Sequence, residues 1–185
     1  MPKIAEIETT PNPNARKFVL REPLTGGVTR SFESAEQARS DSLAAALFAI
    51  PHVTNVFYVD RWLTVTQDGG ADWQDLIRKL AEPVRAAAAY NPAAFGPTSV
   101  VPTPVAGSPA DALRLQTINT LLNERVRPAL RRDGGDILIV SLVGNQLTVH
   151  YQGACGTCPS AITGTLAGIE GLLRDIEPDV RLIAV

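Results

Sequence analysis

An α+β fold, in two small domains joined by a proline-rich linker, is the architecture expected of this 185-residue chain. The length suits one medium domain or two small ones. In each half, short runs with strand alternation are interleaved with segments of helical periodicity. Between the halves, residues 91–110 read NPAAFGPTSVVPTPVAGSPA, with Pro92, Pro97, Pro102, Pro104 and Pro109 and no charged side chain. Proline lacks a backbone donor and disfavours helix at the residue before it, so this stretch reads as a semi-extended linker. The expected division is residues 1–90, the linker 91–110, and residues 111–185.

The first half opens on a strand over residues 4–9. The run TPNPN then turns the chain, because proline presets φ and asparagine bonds nearby backbone. Strands follow over residues 17–20 and 28–32, separated by the turn at Leu24, Thr25, Gly26 and Gly27. A short helix over residues 34–39 has Ser34 as its cap. Asp41 or Ser42 caps the next, over LAAALFAI, which Pro51 stops. Residues 53–59 and 62–66 read as a hairpin around Asp60 and Arg61. Asp72 opens a helix that runs toward Tyr90, with a kink or break expected at Pro83. Trp73, Leu76, Ile77, Leu80 and Val84 form its apolar stripe. Nothing here is a catalytic constellation. His52 reads as a turn residue, Trp73 as core, and Arg16 with Lys17 as a solvated strand edge.

In the second half, Leu115, Ile118, Leu122 and Val126 share one face of a helix from Asp111 that Pro128 ends or kinks. Asp133 to Asp136 read as a turn, with the two aspartates as turn and cap residues rather than ligands. A strand over residues 137–142 turns at Gly144 and Asn145 into a second strand. There Leu147, Val149 and Tyr151 make a dry face, and Thr148, His150 and Gln152 a wet one. Ile162, Leu166, Ile169 and Leu173 repeat at helical intervals until Glu177 and Pro178, and residues 180–185 can form a last strand. The order is α-β-β-α-β. A domain of this size buries a small core and gains from an added clamp, a metal or a partner chain.

Composition narrows the function classes. Hydrophobic residues are 45% and charged residues 19%, an ordinary globular balance, with a net charge of −2. There is no basic excess to neutralise phosphates, so nucleic acid is not an expected partner. No run of about 18 uncharged apolar residues suggests a membrane span. The opening MPKIAEIETTPNPN has no basic segment followed by an apolar one, so no secretory signal is read and a reducing, cytoplasmic location is expected.

The only two cysteines are Cys155 and Cys158. They fall between the end of a strand and the start of a helix, with Pro159 suited to the first helical position. Unpaired N–H groups and the positive end of the helix dipole favour thiolate there. Gly153 and Gly156 let the backbone approach a bound group closely. The two-residue spacing lets both sulfurs face one centre, as in zinc and iron–sulfur sites. Two thiolates are half of what such a centre normally needs, and His150 reads as a polar strand position rather than a ligand. The economical source of the other half is an identical chain across a two-fold axis. By residues alone, cluster or metal carriage stands beside a thiol–disulfide exchange pair, a shared structural zinc and an inert reduced pair.

Both halves resemble one family. In the first, TPNPNARKF followed by FESAEQARSDSLAAALFAIPHVTNVFYVDRWLTVTQDGGADW looks like the N-terminal domain of the Nfu proteins. In the second, DGGD at Asp133–Asp136, QGACGTCP at Gln152–Pro159 and GIEGLL from Gly168 are similar to the NifU-like C-terminal domain. The resemblance implies a non-enzymatic scaffold or carrier. It would bind a [4Fe–4S] cluster between two subunits, as a homodimer formed on cluster binding, and pass it to apo iron–sulfur proteins. An upstream scaffold is a possible donor. The family's two cluster cysteines map onto Cys155 and Cys158, and the N-terminal domain is implied to dock partners rather than hold the cluster.

Overall fold

The computed structural model describes residues 2–88, 90, 103–156 and 159–185, with residues 159–163 described by backbone alone. The chain divides into two compact units, Met1–Val100 and Val101–Val185.

The first unit is built from β1 (Ile4–Thr9), β2 (Ala15–Leu20), β3 (Arg30–Phe32), α1 (Ser42–Phe48), β4 (Val53–Val59), β5 (Trp62–Gln67) and α2 (Trp73–Ala86). The sheet is antiparallel throughout, in the order β1-β2-β5-β4-β3. One face carries Phe18, Leu20, Val56, Tyr58, Leu63 and Val65. These pack in one core with Leu43, Ala44 and Leu47 of α1 and Leu76, Leu80 and Val84 of α2. Asp41 caps α1 through the Ala44 amide at 2.9 Å, and Asp72 caps α2 through the Gln74 amide at 2.8 Å. The turn at Asp60 takes a positive φ of 50° and joins β4 to β5 as the hairpin pattern requires.

Four expectations change here. The short helix expected over residues 34–39 is a single 3-10 turn, Gln37–Ser40, with the Gln37 amide donating to the Ser34 hydroxyl at 3.3 Å. The strand expected over residues 28–32 is confined to Arg30–Phe32. The second helix ends at Ala86 rather than near Tyr90, with Pro83 inside its last turn and the Ala87 amide closing on the Pro83 carbonyl at 3.0 Å. Near a C-terminus, proline removes one hydrogen bond and the helix stops soon after. Lys17 is not solvated, because β2 pairs on both sides and is not an edge. Its side chain is 3% exposed, with its ammonium 2.6 Å from the Glu8 carboxylate and 5.4 Å from the Trp62 ring centre. Trp73 is half-buried at the rim of the core, donates its indole N–H to the Pro13 carbonyl at 3.2 Å, and has the Arg16 guanidinium 4.8 Å from its ring centre.

The second unit comprises β6 (Val105–Ala106), α3 (Pro109–Leu121), α4 (Arg127–Arg132), β7 (Gly135–Val143), β8 (Gln146–Gly153), α5 (Pro159–Leu173) and β9 (Arg181–Ala184). Its sheet runs β6-β7-β8-β9. The central hairpin is antiparallel, and the two outer strands are parallel to their neighbours. Leu115, Ile118, Leu122, Val126 and Leu130 from the helices share one core with Ile137, Ile139, Leu142, Leu147, Val149 and Tyr151 from the sheet and Ile169 and Leu173 from α5. A bulge between Ile139 and Ser141 shifts the buried parity of β7, so Leu142 rejoins the face that Ile137 and Ile139 occupy.

The expected α-β-β-α-β order gains a strand in front. Residues 91–102 of the expected linker lie outside the described residues, but its last part is structured. Val105 and Ala106 pair with Ser141 and Leu142, and the Gly107 amide donates to the Leu142 carbonyl at 2.9 Å. The helix then starts at Pro109, two residues before the expected Asp111, because Ser108 accepts from the Asp111 amide at 3.1 Å and caps it. Pro128 neither ends the helix nor sits in an ordinary turn. Leu122–Val126 form a π-helical turn, and Pro128 falls in the first turn of α4, where no backbone donor is needed.

Candidate functional site

The loop between β8 and α5 reverses the chain in a few residues. Gly153 adopts φ 67°, and the Gly156 amide donates to the Gly153 carbonyl at 3.2 Å. A side chain at position 156 would put its Cβ 2.6 Å from the Tyr151 carbonyl oxygen, so only glycine fits. The α5 backbone begins at Pro159, as expected. Cys155 sits in this reversal, buried at 7% exposure within the core that contains Tyr151.

The floor beneath Cys155 comes from a distant stretch of chain. Gly134, at φ 86°, ends the turn after α4, and its carbonyl accepts from the Ala154 amide at 3.1 Å. Gly135 pairs with Gly153 across the β7–β8 ladder. A Cβ on Gly135 would lie 2.7 Å from the Cys155 Sγ and 2.5 Å from the Gln152 carbonyl. The sulfur therefore rests over a glycine backbone, in the place a side chain would fill.

Asp136 follows on the other face of β7 and is 1% exposed. Its carboxylate takes the Arg131 guanidinium at 3.0 Å, the Arg127 guanidinium at 3.8 Å and the Ile137 amide at 2.8 Å. Burial pulls the Arg127 guanidinium down from its ordinary range, and Asp136 opposes that. This ion cluster fastens α4 and the preceding π-helical turn to the strand that carries Gly135. Asp133 closes α4, its amide donating to the Ala129 carbonyl at 3.1 Å. Asp133 caps α4 as expected, whereas Asp136, expected in the turn, lies in β7 and anchors it, because the guanidinium groups of α4 reach it there.

His150 points to the opposite face from Tyr151, with its Nδ1 2.6 Å from the Val185 carbonyl, so the fold does not bring it to Cys155. Cys158 lies outside the described residues. Among the described residues, no three His, Cys, Asp or Glu side chains gather where they could hold a metal ion. Nor is any described helix long and apolar enough to cross a membrane.

Two residues of this neighbourhood escaped the sequence reading. Gly135 appeared only as part of a turn, and Tyr151 only as a dry-face residue. The Tyr151 hydroxyl is buried with no hydrogen-bond partner among the described residues. Burial, and then the neighbouring Cys155, push its pKa well above the ordinary phenol value. One signal was available: a phenol in an otherwise aliphatic row, four residues before the first thiol.

Comparison with known proteins covers both units. Residues 4–89 match the family described as "Scaffold protein Nfu/NifU N terminal", and residues 118–183 match the "NifU-like domain". The human protein named "NFU1 iron-sulfur cluster scaffold homolog, mitochondrial" is 32% identical over 177 residues, which cover 95% of this chain and 69% of that protein. The Drosophila persimilis protein of the same name is 30% identical over 183 residues, covering 96% of this chain and 63% of its own length. The chain thus spans about two thirds of the curated relatives it matches. A solution structure of a NifU-like protein from Saccharomyces cerevisiae is 24% identical, with a TM-score of 0.40 over 44% of this chain and 74% of that one.

Proposed function

The chain belongs to the Nfu family of iron–sulfur cluster scaffolds, and from that footing we propose that it carries a [4Fe–4S] cluster as cargo. In this reading Cys155 and Cys158 of one chain and the same pair of a second chain supply four thiolates, so that the cluster joins a homodimer. The observation that supports it is the seat of Cys155. Its sulfur lies against a backbone that offers no side chain, at a turn that only glycines can form, four positions before α5 begins at Pro159. The bare glycine backbone is what lets the sulfur take this seat, and the start of the following helix favours the deprotonated sulfur that iron requires.

Release is ligand exchange. Thiolates of an apo iron–sulfur protein replace those of Cys155 and Cys158 one at a time, and the thiols are left protonated and reduced. For each sulfur–iron bond of the carrier that breaks, one forms to an acceptor thiol whose proton passes to the freed cysteine, so the chain hands over cargo without altering any carbon or peptide bond and acts as a carrier and not as an enzyme. The first unit, with no cysteine, is read as the part that holds an acceptor near the site. A reducing compartment suits this cycle, because the emptied thiols must not oxidise between rounds.

The test is anaerobic reconstitution followed by iron and sulfide analysis and native mass measurement. About four irons and four sulfides per two chains are expected. The variants Cys155→Ala and Cys158→Ala should each lose the chromophore while staying folded, because Cys155→Ala removes one sulfur from a core whose Ile, Leu and Val side chains remain. A monomer without iron that reduces a model disulfide faster than free dithiothreitol would instead favour thiol–disulfide exchange.

A further inference from the structure

The Tyr151 hydroxyl is the one polar group beside the Cys155 seat that the described fold leaves unpaired. Tyr151 is 3% exposed and pairs with Ile137 across the β7–β8 ladder. The next rung on the same face is Gly135 with Gly153, and the Cys155 sulfur occupies the space above Gly135. Phenol and sulfur thus lie on one face of the hairpin and in one core, close enough for the charge of Cys155 to bear on the phenol. The Gly156 backbone passes close over the Tyr151 carbonyl, with room for glycine alone.

A buried hydroxyl is almost always hydrogen-bonded, so a native one without a partner calls for an explanation. Among the described residues the Tyr151 hydroxyl has no acceptor. A protonated thiol is a weak acceptor, whereas a metal-bound thiolate is a good one. Hydrogen bonds to the sulfurs of an iron–sulfur cluster favour its more negatively charged, reduced state and raise its potential.

We propose that Tyr151 is a positioning residue for the cargo, its hydroxyl donating a hydrogen bond to the Cys155 sulfur when that sulfur holds iron. The assignment rests on the carrier reading above and adds to it a residue that tunes the cluster without ligating it. The phenol finds its acceptor only in the loaded state, so it favours retention of the cluster until an acceptor's thiolates displace Cys155.

The experiment compares wild type, Tyr151→Phe and Tyr151→Leu after anaerobic reconstitution. It reads the midpoint potential, the resonance Raman iron–cysteine stretch in H2O and D2O, and the rate of iron loss to a chelator. Thermal unfolding of the empty proteins serves as the structural control. The expected result is a lower potential in both variants, loss of a deuterium shift present in wild type, and several-fold faster iron loss. Empty Tyr151→Phe should melt at or above the wild-type temperature, since it removes an unpaired buried group. Equal potentials, equal Raman shifts and equal chelation rates in a loaded wild type and Tyr151→Phe overturn this assignment alone. A wild type that takes up no cluster overturns the carrier reading and this assignment with it.

Discussion

In the first unit, the positive-φ turn at Asp60 is closed by the loop that carries Thr25 and Gly27, more than thirty positions upstream. The Asp60 amide donates to the Thr25 hydroxyl at 2.7 Å, and the Asp60 carboxylate accepts from the Gly27 amide. In the second unit, the turns at Gly134 and Gly153 close around a sulfur, and a buried phenol hydroxyl beside it has no described partner. Buried charge divides the same way. Lys17 leans on Glu8, whose side chain is 36% exposed, so water shares the pair. Asp136 is sealed at 1% and held by two guanidinium groups and an amide. The Asp60 turn meets its polar groups with partners from another loop, whereas the Cys155 reversal packs a sulfur against bare glycine backbone and is braced from behind by an ion cluster.

That contrast can be broken most severely at Asp136. Asp136→Asn removes the charge that Arg131 and Arg127 share and should destabilise the second unit by about 3 kcal/mol, the scale of breaking a buried pair from one side. Hydrogen exchange over residues 135–153 should rise while the first unit keeps its protection. Gly135→Ala should cost less, about 2 kcal/mol, as an overpacked core position. Its larger effect is on the site, since the Cβ meets both a backbone carbonyl and the thiol. Iron uptake should fall sharply even in the folded fraction, as read by iron analysis on the monodisperse protein. Lys17→Met is the matching change in the first unit. Its expected cost is about 1 kcal/mol or less, because Glu8 can rehydrate. Trp62 and Trp73 both lie in that unit, so tryptophan fluorescence during urea unfolding reports it separately.

Acid sharpens the comparison with the smallest effect. The Asp111 carboxyl is held below the usual carboxylate range chiefly by the Ser108 hydroxyl and then by the Arg114 guanidinium. Asp68 is lowered too, first by the Gly70 amide and then by His52. In both cases the unfolded chain takes up the proton first. The stability they contribute is therefore complete above about pH 4, the unfolded carboxylate value, and is lost as pH falls through the lower folded one. Asp111 is nearly buried and Asp68 exposed, so Asp111→Asn should flatten the acid limb of the second unit more than Asp68→Asn flattens that of the first. Hydrogen exchange between pH 5 and pH 2.5 separates the two.

Most of the elements were legible in the chain. The hairpin at Asp60, the caps at Asp41 and Asp72, the dry and wet faces of β8 and the start of α5 at Pro159 all follow from signals within a few residues of one another. The misplacements share one cause. Lys17 reads as solvated by its chemistry and is buried because two strands flank it. Val105 and Ala106 read as linker because two residues have no periodicity, and they become a strand because β7 offers an open edge. Pro128 reads as a stop or a kink, and the helix instead widens into a π-helical turn just before it and continues.

Local order thus set down the elements, their amphipathic faces and the location of Cys155 and Cys158 between a strand and a helix. What surrounds Cys155 was decided in three dimensions. Gly135 lies twenty positions upstream, and only the β7–β8 register brings it under the sulfur. The same register aligns Tyr151 with Ile137, one rung from that seat. Asp136 braces the arrangement because α4 returns Arg131 to it through space. Periodicity reports which face of an element is apolar. It carries no information about which rung of one strand meets which rung of another, because that choice is made by packing and hydrogen bonding summed over the whole sheet.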